Sequence, residues 1–293
     1  MSKLVNISVD GEEGGLPINE FKLENMARNP AICMIAKRSS GKSWVCRSIM
    51  NHYKDVPIGL IIAPTDKLNG FYGEFFPSTY IYYIYESDIL KRLLTRQKKM
   101  LEKAKKKYIE KKKKCDPRAI LLMDDCLSQK SVWKKDPLIS EIFFNGRHYQ
   151  VMFILTMQYS LGITPELRNN FDYIFLLRED FINNQQRLYN NYAGMFPSFD
   201  SFRQVFRELT KNYGAMVISN RGVGNAEDEI DEITSKIYWF KAKKITDAEF
   251  GCKQFNEYHK NNYDPKWLEK EEIFKLDDIK KGVKIKVNKK ISD

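Results

Sequence analysis

The sequence predicts an α/β domain built on a mainly parallel central sheet with helices on both faces. From about residue 31, short apolar runs alternate with longer helical or mixed stretches, which is the pattern of an α/β domain. The runs are almost continuously apolar, as parallel strands are when both faces of their sheet are covered. The five predicted strands span residues 31–35, 58–63, 119–123, 151–156 and 173–177.

The two ends of the chain carry further strand signals. Residues 215–219 and 236–242 are typical of strands that extend the sheet as an antiparallel edge or hairpin, with an acidic turn region around 227–232 between them. Residues 4–9 alternate polar and apolar side chains and are followed by three glycines. This pattern predicts a short edge strand and a loop.

Composition predicts one globular domain followed by a tail. A hydrophobic fraction of 43% is enough to bury a core, whereas the chain beyond about residue 262 is rich in lysine and poor in aromatic residues. We expect a domain over residues 1–261, with a basic helical insertion at about 88–116, and a Lys-rich basic tail over residues 262–293. The apolar runs are too short to span a bilayer and the N-terminus lacks a basic segment followed by an apolar core, so we expect a soluble, unsecreted protein.

The net charge of +11 is concentrated in one segment. Residues 91–114 contain 13 Lys or Arg and 2 Glu, which leaves 36 basic and 36 acidic residues in the rest of the chain. A narrow stripe at spacings of three and four predicts an amphipathic helix, and its positions are Leu90, Leu94, Gln97, Leu101, Ala104 and Tyr108. This is either a solvated helix packed on the domain, half of a coiled coil, or an arm that contacts an anionic partner.

The strongest chemical signal follows the first predicted strand. The eight residues from Ala36 end in Gly-Lys-Ser and precede the helix-compatible run 44–53, which is the context of a phosphate-binding loop. Backbone N–H groups and the helix N-terminus can surround a polyphosphate, Lys42 can reach its β and γ oxygens, and the Ser43 hydroxyl can ligate Mg²⁺. The predicted ATP-binding residues are Ala36, Lys37, Arg38, Ser39, Ser40, Gly41, Lys42 and Ser43.

The first position of this loop departs from the usual pattern, because Ala36 stands where a glycine is expected. Alanine is the smallest residue after glycine, so the loop can close if this position does not need a positive φ angle. The alternative is a degenerate loop that no longer binds nucleotide.

Polar residues at the ends of two later strands extend the predicted site. Strand 119–123 leads into Asp124 and Asp125, and downstream of a phosphate loop this is the Walker B pattern. Asp124 would hold Mg²⁺, and Asp125 would accept a proton from the attacking water or orient it. Gln158 ends a later strand, and its amide can donate and accept, as a sensor of the γ-phosphate or the lytic water requires. The alternatives are carboxylates that simply begin a loop and a glutamine that bonds the backbone.

The order of these motifs resembles the poxvirus-type genome-packaging ATPases of nucleocytoplasmic large DNA viruses, within the FtsK/HerA group of DNA-pumping motors. The resemblance runs from about residue 20 to residue 245. Besides the phosphate loop, the matching features are Asp124, Asp125, Gln158 and the segments 63–66, 71–77, 145–148 and 167–172.

The resemblance implies a RecA-like P-loop NTPase sheet in which the Gln158 strand lies between the phosphate-loop strand and the Asp124 strand. It also implies a ring of identical subunits with ATP and Mg²⁺ at each interface and an arginine from the neighbour completing the site. Arg147 is the first candidate for this arginine and Arg168 the second. Either one could instead be a surface or ion-paired arginine.

The implied function is ATP-driven translocation of double-stranded viral DNA into the capsid. The implied partners are capsid or portal-vertex proteins, and the implied location is the host cytoplasm at viral assembly sites or the virion. The basic helix would contact DNA phosphates or an acidic capsid partner, and the candidate lysines are Lys105, Lys106, Lys107, Lys111, Lys112 and Lys113. Two other functions stay open: a helicase-like or DNA-remodelling ATPase in replication, and a structural DNA-binding protein of the virion with a vestigial nucleotide site.

Overall fold

A computed structural model describes residues 4–8, 15–110, 115–126, 133–221, 229–245 and 249–266. Within these ranges ten strands form one sheet, and the predicted α/β class is confirmed. In chain order the strands are β1 (Leu4–Ile7), β2 (Leu16–Glu20), β3 (Ala31–Ile35), β4 (Ile58–Ile62), β5 (Ile81–Tyr82), β6 (Ala119–Asp124), β7 (Val151–Met157), β8 (Tyr173–Leu177), β9 (Gly214–Ser219) and β10 (Ile237–Lys241). The five apolar runs of the sequence form β3, β4, β6, β7 and β8.

Six neighbouring strands form a parallel block in the order β8-β3-β7-β6-β4-β5. The strand that leads to Gln158 lies between the phosphate-loop strand and the Asp124 strand, as predicted. The register brings the strand ends together at one edge, where Ile35 lies beside Met157 and Asp124 lies beside Thr156. We call this the catalytic edge of the sheet.

The strands beyond β8 run in both directions. β9 is antiparallel to both β8 and β10, which confirms the predicted antiparallel pair. This pair does not end the sheet, because β10 also pairs with β2, and β1 follows as the edge strand. The acidic turn predicted at 227–232 is wrong in part: a helix begins at Glu229 and leads directly into β10. That helix is held to the core through the buried side chain of Ile233.

Nine α-helices lie in the described ranges, and they cover both faces of the sheet as predicted. They are α1 (Lys42–His52), α2 (Asp66–Asn69), α3 (Ser87–Ile109), α4 (Pro137–Asn145), α5 (Pro165–Arg168), α6 (Ile182–Tyr192), α7 (Phe199–Leu209), α8 (Glu229–Lys236) and α9 (Lys253–Asn262). Helices α1 and α9 bury residues in the core on one face. Helices α3, α4, α6 and α7 bury residues in the core on the other face.

Helix α7 shows how local sequence sets these positions. Ser198 and Ser201 form a capping box at its start, which satisfies two of the free N–H groups. Its buried residues recur at helical spacing and are Phe202, Val205, Phe206 and Leu209. The helix is therefore fixed at its start and along one face, and it ends just before β9.

The first half of α3 is anchored to the domain. Its buried residues are Ile89, Leu90, Leu93, Leu94 and Gln97. Gln97 donates from Nε2 to the carbonyl of Pro117 at 2.8 Å and to that of Tyr149 at 2.7 Å. These carbonyls belong to the loops that lead into β6 and β7, so the polar member of the predicted stripe ties the helix to both strands.

The second half of α3, residues 98–109, is the part that we call the basic arm. It spans roughly 18 Å and carries six lysines and one glutamate. The predicted stripe is only partly covered here, since Leu101 and Ala104 are half-buried and Tyr108 is 82% exposed. Of the candidate lysines, Lys105 and Lys106 are exposed, Lys107 is half-buried, and Lys111, Lys112 and Lys113 lie outside the described residues.

The described chain closes with α9. Phe255 stacks on Tyr80 with ring centroids 4.2 Å apart and packs edge-on against Phe76 at 5.7 Å. The Lys-rich tail predicted for residues 262–293 lies outside the described residues from residue 267 onward. Within the described ranges, no helix combines the length and apolar character needed to cross a membrane.

Candidate functional site

The phosphate-binding loop joins β3 to α1 at the catalytic edge of the sheet. Gly41, directly before α1, has a φ of 95°, a left-handed value that glycine adopts without steric cost. The Ser40 hydroxyl is buried under the loop and donates to the carbonyl of Lys37 at 2.7 Å. The loop therefore presents its N–H groups and the helix N-terminus to the same space.

Ala36 fits the position where a glycine is usual. Its φ angle is not positive, and its N–H donates to the carbonyl of Met157 at 2.9 Å. Its methyl group is buried and requires no strained backbone. The departure from the usual pattern therefore leaves the loop able to close.

Lys42 extends from the first turn of α1 toward the Walker B strand. Its Nζ lies 2.9 Å from Oδ1 of Asp124, and both side chains are largely buried. Burial alone lowers the pKa of Lys42, but the charge of Asp124, the hydrogen bond to it and the charge of Asp125 together raise the pKa above its ordinary value. Lys42 therefore keeps its positive charge in the site at neutral pH.

Thr156 connects Asp124 and Asp125, the two Walker B residues, and sequence reasoning missed this role. Its hydroxyl donates to Oδ1 of Asp124 at 2.5 Å and accepts from the N–H of Asp125 at 3.1 Å. The available signal was that Thr156 is the single polar residue in the otherwise apolar β7, directly beside Asp124 in the register. The hydroxyl thus orients both acidic residues.

Asp125 and Gln158 contact each other, because Nε2 of Gln158 donates to Oδ2 of Asp125. Asp125 has a φ of 54°, which is uncommon for a residue other than glycine. The next residue is held in place, since the carbonyl of Cys126 accepts from Nε1 of Trp133 at 2.8 Å. The strand therefore ends in a strained conformation that keeps the Asp125 carboxylate beside the Gln158 amide.

These residues line one open cleft of about 1150 Å³. The predicted residues in its lining are Ala36, Lys37, Arg38, Ser39, Gly41, Lys42, Ser43, Asp124, Asp125 and Gln158. Residues in its lining that the sequence did not indicate include Trp44, Leu68, Phe71, Tyr213, Lys241, Lys243 and Lys244.

Asp66 adds a further carboxylate to the cleft. Its Oδ1 accepts from the N–H of Phe71 at 2.8 Å, which closes the loop that follows β4. Burial raises the pKa of Asp66 by more than the hydrogen bonds from the N–H groups of Tyr72 and Phe71 lower it. Asp66 belongs to the segment 63–66 that carries part of the resemblance, but a role for it was not predicted.

Lys37 is tied to the loop that follows β8. It forms an ion pair with Asp180, whose other oxygen accepts from Nε of Arg178 at 2.8 Å. Hydrogen bonds from Lys37 and Arg178 lower the pKa of Asp180 below its usual value. Lys37 and the exposed Arg38 thus border the cleft, and phosphate contacts by their side chains stay a prediction.

The two candidate arginines lie outside the lining of the cleft of their own chain. Arg147 is exposed in the loop before β7, at the edge of the sheet opposite the catalytic edge. Arg168 is half-buried, bonds to Asn191 and lies over the ring of Tyr192, with its Cζ 5.5 Å from the ring centroid. The structure therefore leaves Arg147 available to another chain and engages Arg168 within its own.

The oxygen donors in the cleft suit Mg²⁺. The hydroxyl of Ser43 and the carboxylate of Asp124 line the same space as the phosphate loop. In the part of the chain that the structure describes, no group of three or more His, Cys, Asp or Glu side chains is placed to hold a metal by itself. Mg²⁺ is typically bound by one or two protein oxygens together with substrate phosphates, so these two residues fit the ion.

The phosphate-binding loop at the start of α1, the strand that ends in Asp-Asp and the order of the parallel strands define a P-loop NTPase. The chain belongs to the Poxvirus A32 protein family, whose family model matches residues 18–199. The family resemblance indicated by the motifs is confirmed.

The chain is also similar in sequence to two viral proteins and in fold to a solved structure. The chain is 48% identical to protein L437 of Acanthamoeba polyphaga mimivirus, over 85% of this chain and 84% of that protein. It is 32% identical to protein 088R of Invertebrate iridescent virus 3, over 84% of this chain and 94% of that protein. The fold is similar to that of the genome packaging NTPase B204 from Sulfolobus turreted icosahedral virus 2, in complex with AMPPCP, with a TM-score of 0.50. The two sequences are 15% identical, and the match covers 74% of this chain and 100% of that chain.

Replacement of Thr156 by valine is expected to disturb the site without disturbing the fold. Valine keeps the shape but removes the hydroxyl that donates to Asp124 and accepts from the N–H of Asp125, so Mg²⁺ affinity or ATP turnover should fall about 10- to 100-fold. Thr156→Ser keeps the hydroxyl and is the matched control. Magnesium titrations of ATP turnover check this, and equal values for the valine and serine variants would refute the role given to the hydroxyl.

Proposed function

We propose that this protein is an ATP-driven motor that moves double-stranded viral DNA into a capsid. The observation that carries the proposal is the convergence of Lys42, Asp124, Asp125 and Gln158 in one cleft of a P-loop fold. Membership in the Poxvirus A32 family and the fold shared with B204, a genome packaging NTPase, support it. Such a motor acts at viral assembly sites in the host cytoplasm, with capsid or portal-vertex proteins as partners.

The proposed reaction is in-line attack of water on the γ-phosphate of ATP. The loop N–H groups and the α1 N-terminus bind the phosphates, and the Lys42 ammonium neutralises charge on the β and γ oxygens. Asp125 accepts a proton from the water or orients the water. The amide nitrogen of Gln158 donates to Asp125, so the side-chain carbonyl oxygen of Gln158 can accept a hydrogen bond from the same water. Mg²⁺, when bound, neutralises charge that develops on the transferred phosphoryl group.

One of the two rival functions draws less support from the structure. A structural protein with a vestigial site was favoured only by Ala36, and the backbone at Ala36 accommodates the methyl group without strain. A helicase-like or remodelling ATPase would use the same cleft. Strand separation that depends on ATP would favour that function over packaging.

The purified protein is expected to hydrolyse ATP, and to do so faster with linear duplex DNA than without it. Asp125→Asn should still bind Mg²⁺-ATP but lose roughly 10²- to 10⁴-fold in turnover, because an amide cannot act as a base. Lys42→Ala should lose nucleotide binding or turnover. Phosphate release and equilibrium ATP binding measure these effects. Assembled wild-type protein without turnover, or an Asp125→Asn variant with normal turnover, would contradict the proposal.

The position of Arg147 supports assembly into a ring. A head-to-tail ring brings one surface of a chain against a different surface of its neighbour. Arg147 is exposed and lies at the edge opposite its own cleft, so it is available to complete the site of another chain. An arginine supplied in this way is worth roughly 10³ to 10⁵ in rate.

Mixing two inactive variants tests this arrangement. An Arg147→Ala chain lacks the proposed finger and a Lys42→Ala chain lacks the phosphate ligand, so each should be inactive alone. Their mixture should regain part of the wild-type turnover, because intact sites form where two unaltered halves meet. If mixed assemblies form and no turnover returns, Arg147 is not the finger, and the same mixture with Arg168→Ala is the next comparison.

The basic arm is the proposed contact to DNA. Most of its lysines are exposed, on a helix half in which the described part of the domain buries no side chain, and the anchored half holds it in a fixed direction. A cluster of cations on an exposed helix half suits the phosphates of duplex DNA.

Replacing Lys105, Lys106 and Lys107 with glutamine removes three charges from the arm and keeps helix propensity. If each lysine neutralises a phosphate, the slope of log affinity against log salt should become shallower by about 0.9 for each phosphate that is no longer neutralised. ATP turnover in the presence of DNA should fall, while ATP turnover without DNA should stay the same. The matched control replaces three exposed lysines elsewhere, Lys253, Lys260 and Lys266, with glutamine. Equal slopes for the two triple variants would mean that the arm does not bind DNA.

A further inference from the structure

The wall of the cleft next to β9 carries an aromatic residue that the proposed reaction does not use. Tyr213 is 67% exposed and lines the same cleft as Lys42 and Asp125. Its ring lies against the phosphate-binding loop, since a Cβ atom placed on Gly41 would lie 3.4 Å from its Cδ1. An open aromatic surface therefore borders the phosphate site.

The backbone holds Tyr213 there in a strained conformation. Asn212 and Tyr213 have φ angles of 51° and 64°, which are uncommon for residues with side chains and rare for bulky ones. The turn is fixed on both sides: the Thr210 hydroxyl donates to the carbonyl of Phe206 at 2.7 Å, and a Cβ atom on Gly214 would lie 2.2 Å from a backbone oxygen. Strain that the surroundings enforce is typical of binding and catalytic positions.

The strand order determines which end of a bound nucleotide lies near Tyr213. The phosphate loop follows β3, which lies between β7 and β8. Asp125 and Gln158, which act on the γ-phosphate, follow β6 and β7 on one side of the loop. Tyr213 precedes β9 on the other side, and the β8–β9 register brings Ala215 beside Leu177 at the catalytic edge. A polyphosphate whose γ end lies at Asp125 thus directs its nucleoside toward Tyr213.

The other aromatic residues of the cleft are Tyr72, which is buried with 1% exposure, and Trp44 and Phe71, which are packed with each other. The rings of Trp44 and Phe71 meet edge to face with centroids 5.9 Å apart. The guanidinium of Arg47 lies 5.5 Å from the centroid of the first ring and 5.7 Å from that of the second. Phe71 also follows β4, on the Asp124 side of the loop. These two rings are therefore less available to a base than Tyr213.

We propose that Tyr213 is the platform on which the base of ATP stacks. The proposal rests on the proposed function in taking ATP as the ligand, and it adds the residue that contacts the base. Stacking on an aromatic side chain is worth on the order of tenfold or more in affinity for one base. The fixed turn keeps the ring at the loop, so stacking requires little reordering of the protein.

The test compares binding of ATP with binding of inorganic tripolyphosphate, which lacks a base, both with Mg²⁺. Tyr213→Asn removes the ring but keeps the turn, because asparagine tolerates the left-handed conformation. Tyr213→Trp keeps an aromatic surface, and Tyr258→Ala is the control on an exposed tyrosine outside the cleft. Calorimetry gives the affinities, and the decrease in adenine absorbance on binding reports stacking.

The expected result is that Tyr213→Asn binds ATP about tenfold or more weakly, shows no absorbance decrease and binds tripolyphosphate as the wild type does. Tyr213→Trp and Tyr258→Ala should retain ATP affinity. Unchanged ATP affinity in Tyr213→Asn, or an equal loss for both ligands, would overturn the base platform while leaving the phosphate site intact. A wild-type protein that binds neither ligand would instead refute the proposed function, and the platform with it.

Discussion

The pairing of β6 with β7 is the constraint on which the whole site depends. It places Thr156 beside Asp124, so one hydroxyl reaches both a carboxylate and the N–H of Asp125. Gln158 lies two residues after Thr156 and contacts Asp125. A slip of one residue would bring apolar Leu155 or Met157 beside Asp124. Every residue of both strands is buried, and such a slip would move each side chain to the opposite face of the sheet. Packing of the core on the two faces therefore specifies the register.

The main strands and the phosphate loop were predictable because their signals are local. Continuous apolar runs predict buried parallel strands. The spacing of Gly41, Lys42 and Ser43 within one short segment predicts the phosphate-binding loop. The missed strands lack this signal: β2 contains Pro17 and Asn19, and β5 has two residues. Their pairing is decided by neighbours far along the chain. The acidic composition before β10 likewise indicates a turn, although tertiary packing makes it a helix.

The missed site residues share the same physical reason. Thr156 and Tyr213 are unremarkable in their own segments, and each gains a role only when a distant segment lies beside it. The α3 stripe shows what helical spacing leaves undetermined. Its spacing continues to Tyr108, but spacing does not reveal where the covering surface ends. The boundary falls after Gln97. Its hydrogen bonds connect the helix to the starts of β6 and β7, the two strands that lead to Asp125 and Gln158 at their other ends.

The lateral ends of the sheet have a consequence for how copies of the chain can associate. In the described part of the chain the sheet ends with β1, four residues long, and β5, two residues long. Such short edges offer few main-chain groups to a second sheet, so continuous strand addition between subunits is disfavoured. Contacts between copies would then be made by side chains on loops and helices. Interfaces of that kind can loosen and re-form one at a time, whereas a shared ladder of backbone hydrogen bonds would lock neighbouring subunits into a single rigid body.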